Sequence, residues 1–303
     1  MAMTRLLSLV VLLSSFGGAA GAAQIYAARG LVLKVDSARH SLLVSCEKVP
    51  GYMDAMIMPL TVRNSKELEG IKPGTMIEFS LVVEDAASYI EKIHIHPYES
   101  IEQDPLAARR LKLMAKITDP ASAPNEMKIG DHVSDFSLID QNKQRVALSQ
   151  FSGKVVALTF TYTHCALPNF CFRISNNFRQ LQKRFASRMG RELVLLTITF
   201  DPAHDTPDVM AKYGKIWNAD PKGWRLLSGP TPEVEKLCNQ FGISFWPDEG
   251  LMTHSLHTVV IDQNGNLAAD MEGNEFTADQ LGDLVQTVLT RRKVFSARAG
   301  EHR

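Results

Sequence analysis

Two cysteines in the second half of the chain are spaced as a pair that can act together. Cys165 and Cys171 have five residues between them and follow Val155–Thr161, a continuous apolar and β-branched run. Such a run predicts a buried strand, and Pro168 disfavours a helix between the two cysteines. A loop this short can bring the two sulfur atoms together. As thiolates they could bind a soft ion such as Cu(I), and oxidised they could form a disulfide.

A helix is predicted at 174–187, so its N-terminus comes just after Cys171. The positive end of a helix stabilises a thiolate, and we expect a lowered pKa for this thiol. A disulfide that only stabilises the fold is the simpler alternative, and in an oxidising compartment it needs no further role.

A copper ion held by two thiolates needs a third ligand, and imidazole suits it well. Five histidines are candidates for this third ligand: His132, His164, His204, His254 and His257. His254 precedes a predicted strand at 257–262 that could lie beside the cysteine-bearing strand. A loop entering such a strand can face the cysteine loop, whereas His257 belongs to the strand and could point away.

A second group of soft side chains lies near the N-terminus. Met56 and Met58 alternate and therefore share one strand face. Cys46 and Met53 precede them. Thioether sulfur binds Cu(I) or Ag(I) in preference to hard cations. On spacing alone, however, methionines that fill the interior of a small barrel are the stronger interpretation.

The elements that must position these groups fall into two domains. Residues 25–97 contain five short β-rich runs separated by Gly, Pro and Asn, which predicts a small all-β barrel. Residues 98–127 are first charged and helix-prone and then rich in Pro, Ala and Ser, as in a linker. From residue 128 strands and helices alternate up to 293, which predicts an α/β domain with helices on both faces of its sheet. Thr277 is predicted as the N-cap of the closing helix, and 294–303 as a tail.

Composition limits the classes of function. The 303 residues favour two domains. Lys+Arg and Asp+Glu both number 33, so the net charge is zero and nucleic acid is not expected as a partner. Four cysteines are too few for a disulfide scaffold.

The N-terminal segment predicts export. Residues 1–23 combine an arginine, a short apolar run at 6–16 and small residues with an A-x-A site, the pattern of a signal peptide. The apolar run is too short to span a bilayer. We therefore expect a periplasmic or otherwise extracytoplasmic protein with no permanent membrane span after cleavage.

Residues 128–290 resemble the Sco/SenC family of thioredoxin-like copper proteins, which are tied to assembly of the copper site of cytochrome oxidase. The resemblance is carried by four stretches: 128–138, 161–165 (TYTHC), 200–207 (FDPAHDTP) and 254–255 (HS). It implies Cys165, Cys171 and His254 as copper ligands, with Asp201 and Asp205 supporting the loops around them. The family usually has three residues between its cysteines, so the five here indicate a divergent branch.

Residues 29–97 resemble the CusF-like copper-binding barrels, whose site consists of a His, a Trp and a Met-x-Met pair. Met56 and Met58 match the Met-x-Met pair. Cys46 stands where the His is expected, and Met53 stands near the Trp position. The resemblance therefore implies a second soft-metal site in which two ligand classes have changed.

Two functions follow as hypotheses. The first is an exported copper metallochaperone that delivers copper to the copper-bearing subunit of cytochrome oxidase or to another copper protein. The second is a thiol–disulfide oxidoreductase with Cys165 and Cys171 as its redox pair, so the sequence leaves open whether the protein is an enzyme. A peroxiredoxin is disfavoured, because Leu158 and Tyr162 stand where its proline and hydroxyl residue are expected.

Overall fold

The computed structural model describes residues 23–85, 87–95, 127–165, 170–243, 245–248 and 251–300. The predicted signal peptide up to residue 22 and the helical segment and linker up to residue 126 lie outside the described residues. Residues 166–169, between the two cysteines, also lie outside them.

The N-terminal domain is a five-stranded antiparallel barrel in which the strand order is β3-β2-β1-β4-β5. Its strands are β1 (Gln24–Asp36), β2 (Ser41–Cys46), β3 (Met56–Thr61), β4 (Met76–Val83) and β5 (Ser88–Ile95). The two edge strands meet where Val62 forms a bridge with Ile90 and the Arg63 amide donates to the Ile90 carbonyl at 3.0 Å. The predicted small all-β domain is confirmed.

Gly30 in β1 lets the barrel close tightly around Cys46. The two residues are register partners across β1 and β2. A Cβ atom at Gly30 would lie 2.6 Å from Val44 Cγ1 and 2.7 Å from the Ser45 carbonyl oxygen. Only a residue without a side chain fits here, and the backbone of β1 thus packs directly against the strand that carries Cys46.

The C-terminal domain is a seven-stranded mixed sheet in the order β14-β13-β8-β9-β10-β6-β7. Strands β8, β9 and β10 run parallel, and the neighbours on both sides are antiparallel. Its strands are β6 (Ser137–Asp140), β7 (Arg145–Ala147), β8 (Val155–Thr161), β9 (Leu193–Thr199), β10 (Trp224–Ser228), β13 (His257–Ile261) and β14 (Leu267–Glu272). A separate hairpin is formed by β11 (Phe245–Asp248) and β12 (Leu251–His254).

Four described helices cover the sheet: α1 (Cys171–Arg184), α2 (Pro207–Trp217), α3 (Thr231–Gln240) and α4 (Ala278–Gly300). Apolar residues of α1, α2 and α4 form one core with the sheet, and those of α3 form another. The helices therefore lie on both faces, and the predicted thioredoxin-like α/β fold is confirmed. No described helix is long and apolar enough to cross a membrane.

Helix α4 begins with the predicted cap. Thr277 Oγ1 accepts a hydrogen bond from the Gln280 amide, and the Gln280 side chain accepts one from the Thr277 amide. This reciprocal pair satisfies two amides that a helix start leaves unpaired. The helix continues to Gly300, so the domain boundary predicted at 293 falls inside it.

The two domains share a core and an ion cluster. Leu31, Leu33 and Met76 of the barrel belong to the same buried cluster as the apolar face of α4. Beside it, Lys72 Nζ lies 2.9 Å from Asp270 Oδ2, and His257 Nδ1 lies 3.0 Å from Asp270 Oδ1. Burial raises the pKa of Asp270, but the hydrogen bond and charge of His257, together with Lys72, outweigh it and hold this pKa below its ordinary value.

We expect Asp270→Asn to lower the free energy of unfolding at pH 7 by roughly 1–3 kcal/mol, because hydrogen bonds to a buried charged group are lost. The lowered pKa means that the stabilisation is present above the ordinary value of 3.8 and is lost as pH falls through the lower value of the folded protein. The difference in the free energy of unfolding between the variant and the parent should therefore become smaller in acid. Urea unfolding at pH 7 and pH 3 measures it.

Asp54→Asn is the matched control, because the Asp54 side chain is 87% exposed in its ion pair with Lys48. It should leave stability nearly unchanged. An Asp270→Asn protein as stable as the control at pH 7 would contradict the role of this cluster.

Candidate metal centre

The candidate centre lies where β8 and β9 end. The two strands are buried along their whole length and run parallel as neighbours. The carboxyl ends of parallel strands therefore release their loops at the same edge of the sheet, where α/β folds place their ligand sites. One loop carries Cys165, and the other carries Asp201 to Asp205.

The buried carboxylate of Asp205 joins these two loops. It accepts hydrogen bonds from the Thr163 amide at 2.9 Å, from the Thr163 hydroxyl, and from the Thr199 hydroxyl at 2.6 Å. The Asp205 amide in turn donates to the Asp201 carbonyl at 2.8 Å. Asp205 thus fixes the start of the cysteine loop against the turn that follows β9, as the resemblance implies.

The two thiols lie together at this edge. Cys171 is the first residue of α1 and is 2% exposed, and its thiol is hydrogen-bonded to that of the half-buried Cys165. That hydrogen bond and burial raise the pKa of Cys171 well above its ordinary value. The expectation that the helix N-terminus lowers this pKa is wrong, because the hydrogen bond with Cys165 and burial both favour the neutral thiol.

His254 is the last residue of β12 and is enclosed by aromatic rings. Its imidazole centroid lies 4.6 Å from Phe200 and 5.6 Å from Tyr162, and it is 4% exposed. Burial lowers the pKa of His254 to about 4. The ring is therefore neutral near pH 7, the form in which imidazole binds metals.

The tautomer of His254 also suits a metal ligand. Nδ1 lies 3.0 Å from the Ser255 carbonyl oxygen. A carbonyl only accepts, so Nδ1 carries the proton and the lone pair of the neutral ring is on Nε2. Backbone contacts of this kind commonly orient histidines that bind metals.

Tyr162 connects the thiols to the imidazole. Its backbone is hydrogen-bonded to the Cys171 thiol, and its ring packs edge-on against His254. The Cys171 thiol and the His254 imidazole thus both contact one buried tyrosine, and Cys165 is hydrogen-bonded to that thiol. This donor set suits a soft ion such as Cu(I), which favours thiolate and accepts imidazole.

Three of the four predicted barrel ligands fall on one face of β2 and β3. Cys46 is directly opposite Met56 in the antiparallel register, and Met58 lies two residues along the same strand. Met53 and Met58 pack against the barrel core, whereas Met56 is 52% exposed at its rim. Burial raises the pKa of the Cys46 thiol to about 11. A ligand would therefore have to displace a proton from this sulfur.

The remaining histidines fall into different surroundings. His132 lies at the surface, with Nδ1 3.3 Å from Asn266 Oδ1, and His257 belongs to the Asp270 cluster. His164 and His204 come together with Asp201, and their possible ligand atoms all lie within 4.8 Å of one another. Sequence reasoning treated these two histidines as single candidates and did not group them. The D-x-x-H spacing and the adjacency of His164 to Cys165 were the available signals.

A thioredoxin-like fold with a thiol pair and a neutral imidazole at the edge of its sheet defines a class of redox and metal-binding proteins. Residues 125–290, more than half of the chain, match the family model described as SCO1/SenC, so the chain belongs to the SCO1/SenC family. Residues 25–95 match the model described as copper binding periplasmic protein CusF. Both resemblances are confirmed, and copper is the metal of both families.

Individual relatives match a part of the chain. Protein sco1 of Schizosaccharomyces pombe is 27% identical over 166 residues, which cover 52% of this chain and 61% of that relative. The SCO2-like protein RT0576 of Rickettsia typhi is 28% identical over 148 residues, covering 46% and 68%. The structure of Arabidopsis thaliana ScoI with copper bound is 25% identical with a TM-score of 0.46, covering 53% of this chain and 98% of that one. The chain thus spans about three fifths of the first relative.

We expect Asp205→Ala to release the cysteine loop. The Thr163 amide and the two threonine hydroxyls would lose their acceptor, and each buried group left unpaired costs about 1–3 kcal/mol. Amide hydrogen exchange at residues 163–165 should therefore accelerate, and the thermal midpoint should fall. Asp205→Asn keeps one carbonyl acceptor. Its exchange rates and thermal midpoint should therefore lie between those of the parent and those of Asp205→Ala.

Asp208→Ala serves as the control, because that carboxylate is 69% exposed and pairs only with the exposed Lys143 among the contacts described. Unchanged exchange at Thr163 in the Asp205→Ala protein would show that Asp205 does not hold the loop.

Proposed function

We propose that this protein is an exported copper metallochaperone that binds Cu(I) through Cys165, Cys171 and His254. The observation that carries the proposal is that Tyr162 contacts both the buried neutral imidazole of His254 and the Cys171 thiol, which is hydrogen-bonded to Cys165. Membership of the SCO1/SenC family supports copper as the ion.

The protonation states favour a monovalent soft ion. Binding to two thiolates and a neutral imidazole gives a complex of charge −1 with Cu(I), and the protons of the thiols are released to water. The raised pKa of Cys171 keeps this thiol protonated until a metal arrives. The Cys171 thiol is thus neutral in the metal-free form and releases its proton when copper binds, which suits a carrier that must also release its cargo.

The barrel supports a second proposed copper site, at Cys46, Met56 and Met58, with Met53 nearby. Its register places the first three on one face, and the match to the CusF model supports Cu(I). The half-exposed Met56 gives an incoming ion access at the rim of the barrel, while Cys46 offers a buried anchor.

The contacts between the domains favour transfer of copper between the barrel and the thiol pair. Glu275 forms an ion pair with Arg29 of β1, and its carbonyl accepts a hydrogen bond at 2.9 Å from Arg173, two residues after Cys171. Ser45 Oγ, next to Cys46, donates to Asp283 at 2.7 Å. Strand β1, which pairs with the strand that carries Cys46, is therefore linked through Glu275 to the start of α1, and β2 itself is hydrogen-bonded to α4.

For the partner we propose the copper-bearing subunit of cytochrome oxidase or another copper protein outside the cytoplasm. The family match supports an oxidase partner, and the match to a periplasmic protein supports export, as does the signal-peptide pattern of residues 1–23.

A thiol–disulfide oxidoreductase is the second candidate, because Cys165 and Cys171 already lie within hydrogen-bond contact. In this reaction the two thiols would be oxidised to a disulfide while a disulfide of the partner is reduced to two thiols. The two functions differ in their need for His254, which is a copper ligand in the first and is not required for exchange in the second.

Anaerobic titration with Cu(I) against a competing chelator tests the proposal. The reduced full chain should bind two Cu(I), and His254→Ala should lose high affinity for one of them while dithiol exchange remains largely intact. Met56→Leu/Met58→Leu should lose the other, because leucine keeps the apolar volume and removes the thioether. X-ray absorption should count two sulfur neighbours and one nitrogen at the His254-dependent site.

His132→Ala is the matched control, since this histidine lies at the surface away from both sites. If His254→Ala binds copper as the parent does, and Cys165→Ser abolishes reduction of a partner disulfide, the oxidoreductase is the correct function.

A further inference from the structure

A second group of metal-binding side chains lies beside the thiol pair and contains no sulfur. His164 Nε2 is 3.8 Å from Asp201 Oδ2, and the rings of His164 and His204 are 4.4 Å apart. The ligand atoms of the three residues all lie within 4.8 Å of one another. They come from two loops whose sequence positions differ by about forty residues, so the fold alone brings them together.

The same carboxylate that fixes the cysteine loop also holds this group in place. Asp205 binds Thr163, the residue before His164, and its own amide is bonded to the Asp201 carbonyl. The His204 amide donates to that carbonyl at 3.2 Å, and the Asp201 amide donates to Thr199 Oγ1 at 3.0 Å. Backbone bonds therefore fix all three Cα positions, while the side chains remain accessible to water.

The spacing suits a first-row transition ion. At metal–ligand distances of about 2.0–2.2 Å, neighbouring ligand atoms lie roughly 3–3.5 Å apart. Side-chain rotations that move the ligand atoms by about an ångström would bring the group to that spacing. Two imidazoles and one carboxylate on one side of an ion leave the other positions for water.

The donor set selects a different ion from the thiol site. Imidazole and carboxylate suit divalent ions such as Cu(II), Zn(II) and Ni(II), and among these Cu(II) binds most strongly. A carboxylate and the absence of sulfur disfavour Cu(I). We propose that His164, Asp201 and His204 form a separate site for a divalent transition ion, with Cu(II) preferred, at the exposed mouth of the thiol centre.

The Tyr162 side chain is in contact with both sites. The Tyr162 ring contacts His164 edge-on at 4.8 Å and His254 at 5.6 Å. One ring thus touches a histidine of each site, with His164 at the surface and His254 buried. A Cu(II) ion at the outer site would be held next to the cysteine loop without displacing Cu(I) from the sulfur ligands.

Electron paramagnetic resonance with Cu(II) alone as the probe tests this site. In the full chain carrying Cys46→Ser, Cys165→Ser, Cys171→Ser and His254→Ala, the thiols of both proposed copper sites and the inner imidazole are gone. This protein should still bind one Cu(II) with a nitrogen-coordinated spectrum that has no thiolate contribution. Adding His204→Ala should raise the dissociation constant at least about tenfold, the scale on which metal sites respond to lost partners.

His132→Ala, added instead of His204→Ala, is the control and should leave Cu(II) binding unchanged. Equal dissociation constants for these two proteins would overturn the site, as would a spectrum with sulfur coordination.

The chain with all its cysteines gives a second, independent measurement in case the quadruple variant does not fold. Ag(I) is first bound to the thiols to block them, and Cu(II) is then added to the Ag(I)-loaded protein. The parent should show a nitrogen-coordinated Cu(II) signal that His204→Ala weakens about tenfold. A signal unaffected by His204→Ala, or its absence from the parent, would overturn the proposal even if the thiol site binds Cu(I) as described above.

Discussion

The buried carboxylate of Asp205 is the constraint on which both candidate metal-binding groups depend. Its two oxygens accept three hydrogen bonds from Thr163 and Thr199, and its backbone closes the turn that begins at Asp201. A charged group that is 0% exposed is stable only when its hydrogen bonds are made. The requirement to satisfy this charge therefore fixes the geometry of two loops that would otherwise be free to move independently.

Burial then sets the chemistry of the groups that these loops carry. Removing the Cys171 thiol and the His254 imidazole from water favours the neutral form of each, so the thiol pKa rises and the imidazole pKa falls. The hydrogen bond from Cys165 contributes most to the Cys171 shift, and burial, which acts on both groups, moves the two pKa values in opposite directions because one charged form is an anion and the other a cation. A soft metal ion can use the neutral imidazole directly and must displace protons from the thiols.

The two domains are joined through more than the segment between them in the sequence. Leu31, Leu33 and Met76 of the barrel belong to one core with the apolar residues of α4. Polar contacts between the domains, Lys72 with Asp270 and Ser45 with Asp283, add to this shared core. Apolar burial of this kind resists separation, so the barrel and the thioredoxin-like domain form one packed unit. This packing supports a chain in which two metal-binding groups serve one process.

Much of the fold follows from local patterns that the sequence displays. The five barrel strands, the buried runs of β8 and β9, and the Thr277 cap depend on neighbours within a few residues, and all agree with the structure. Strand β10 and the β11–β12 hairpin could not be found in this way. The first gains its stability from pairing with β9 and β6, and Pro247 argues against a strand in the second.

The sequence by itself determined which soft ligands the chain carries: the thiol pair, the alternating methionines and a histidine ahead of a strand. Only the tertiary structure decided their protonation, because the hydrogen bond between the thiols and the burial of each group depend on what packs around them. It also decided that His164, Asp201 and His204 meet. Parallel strands bring their carboxyl ends together whatever their separation in the sequence. A local sequence pattern does not show which strand ends become neighbours.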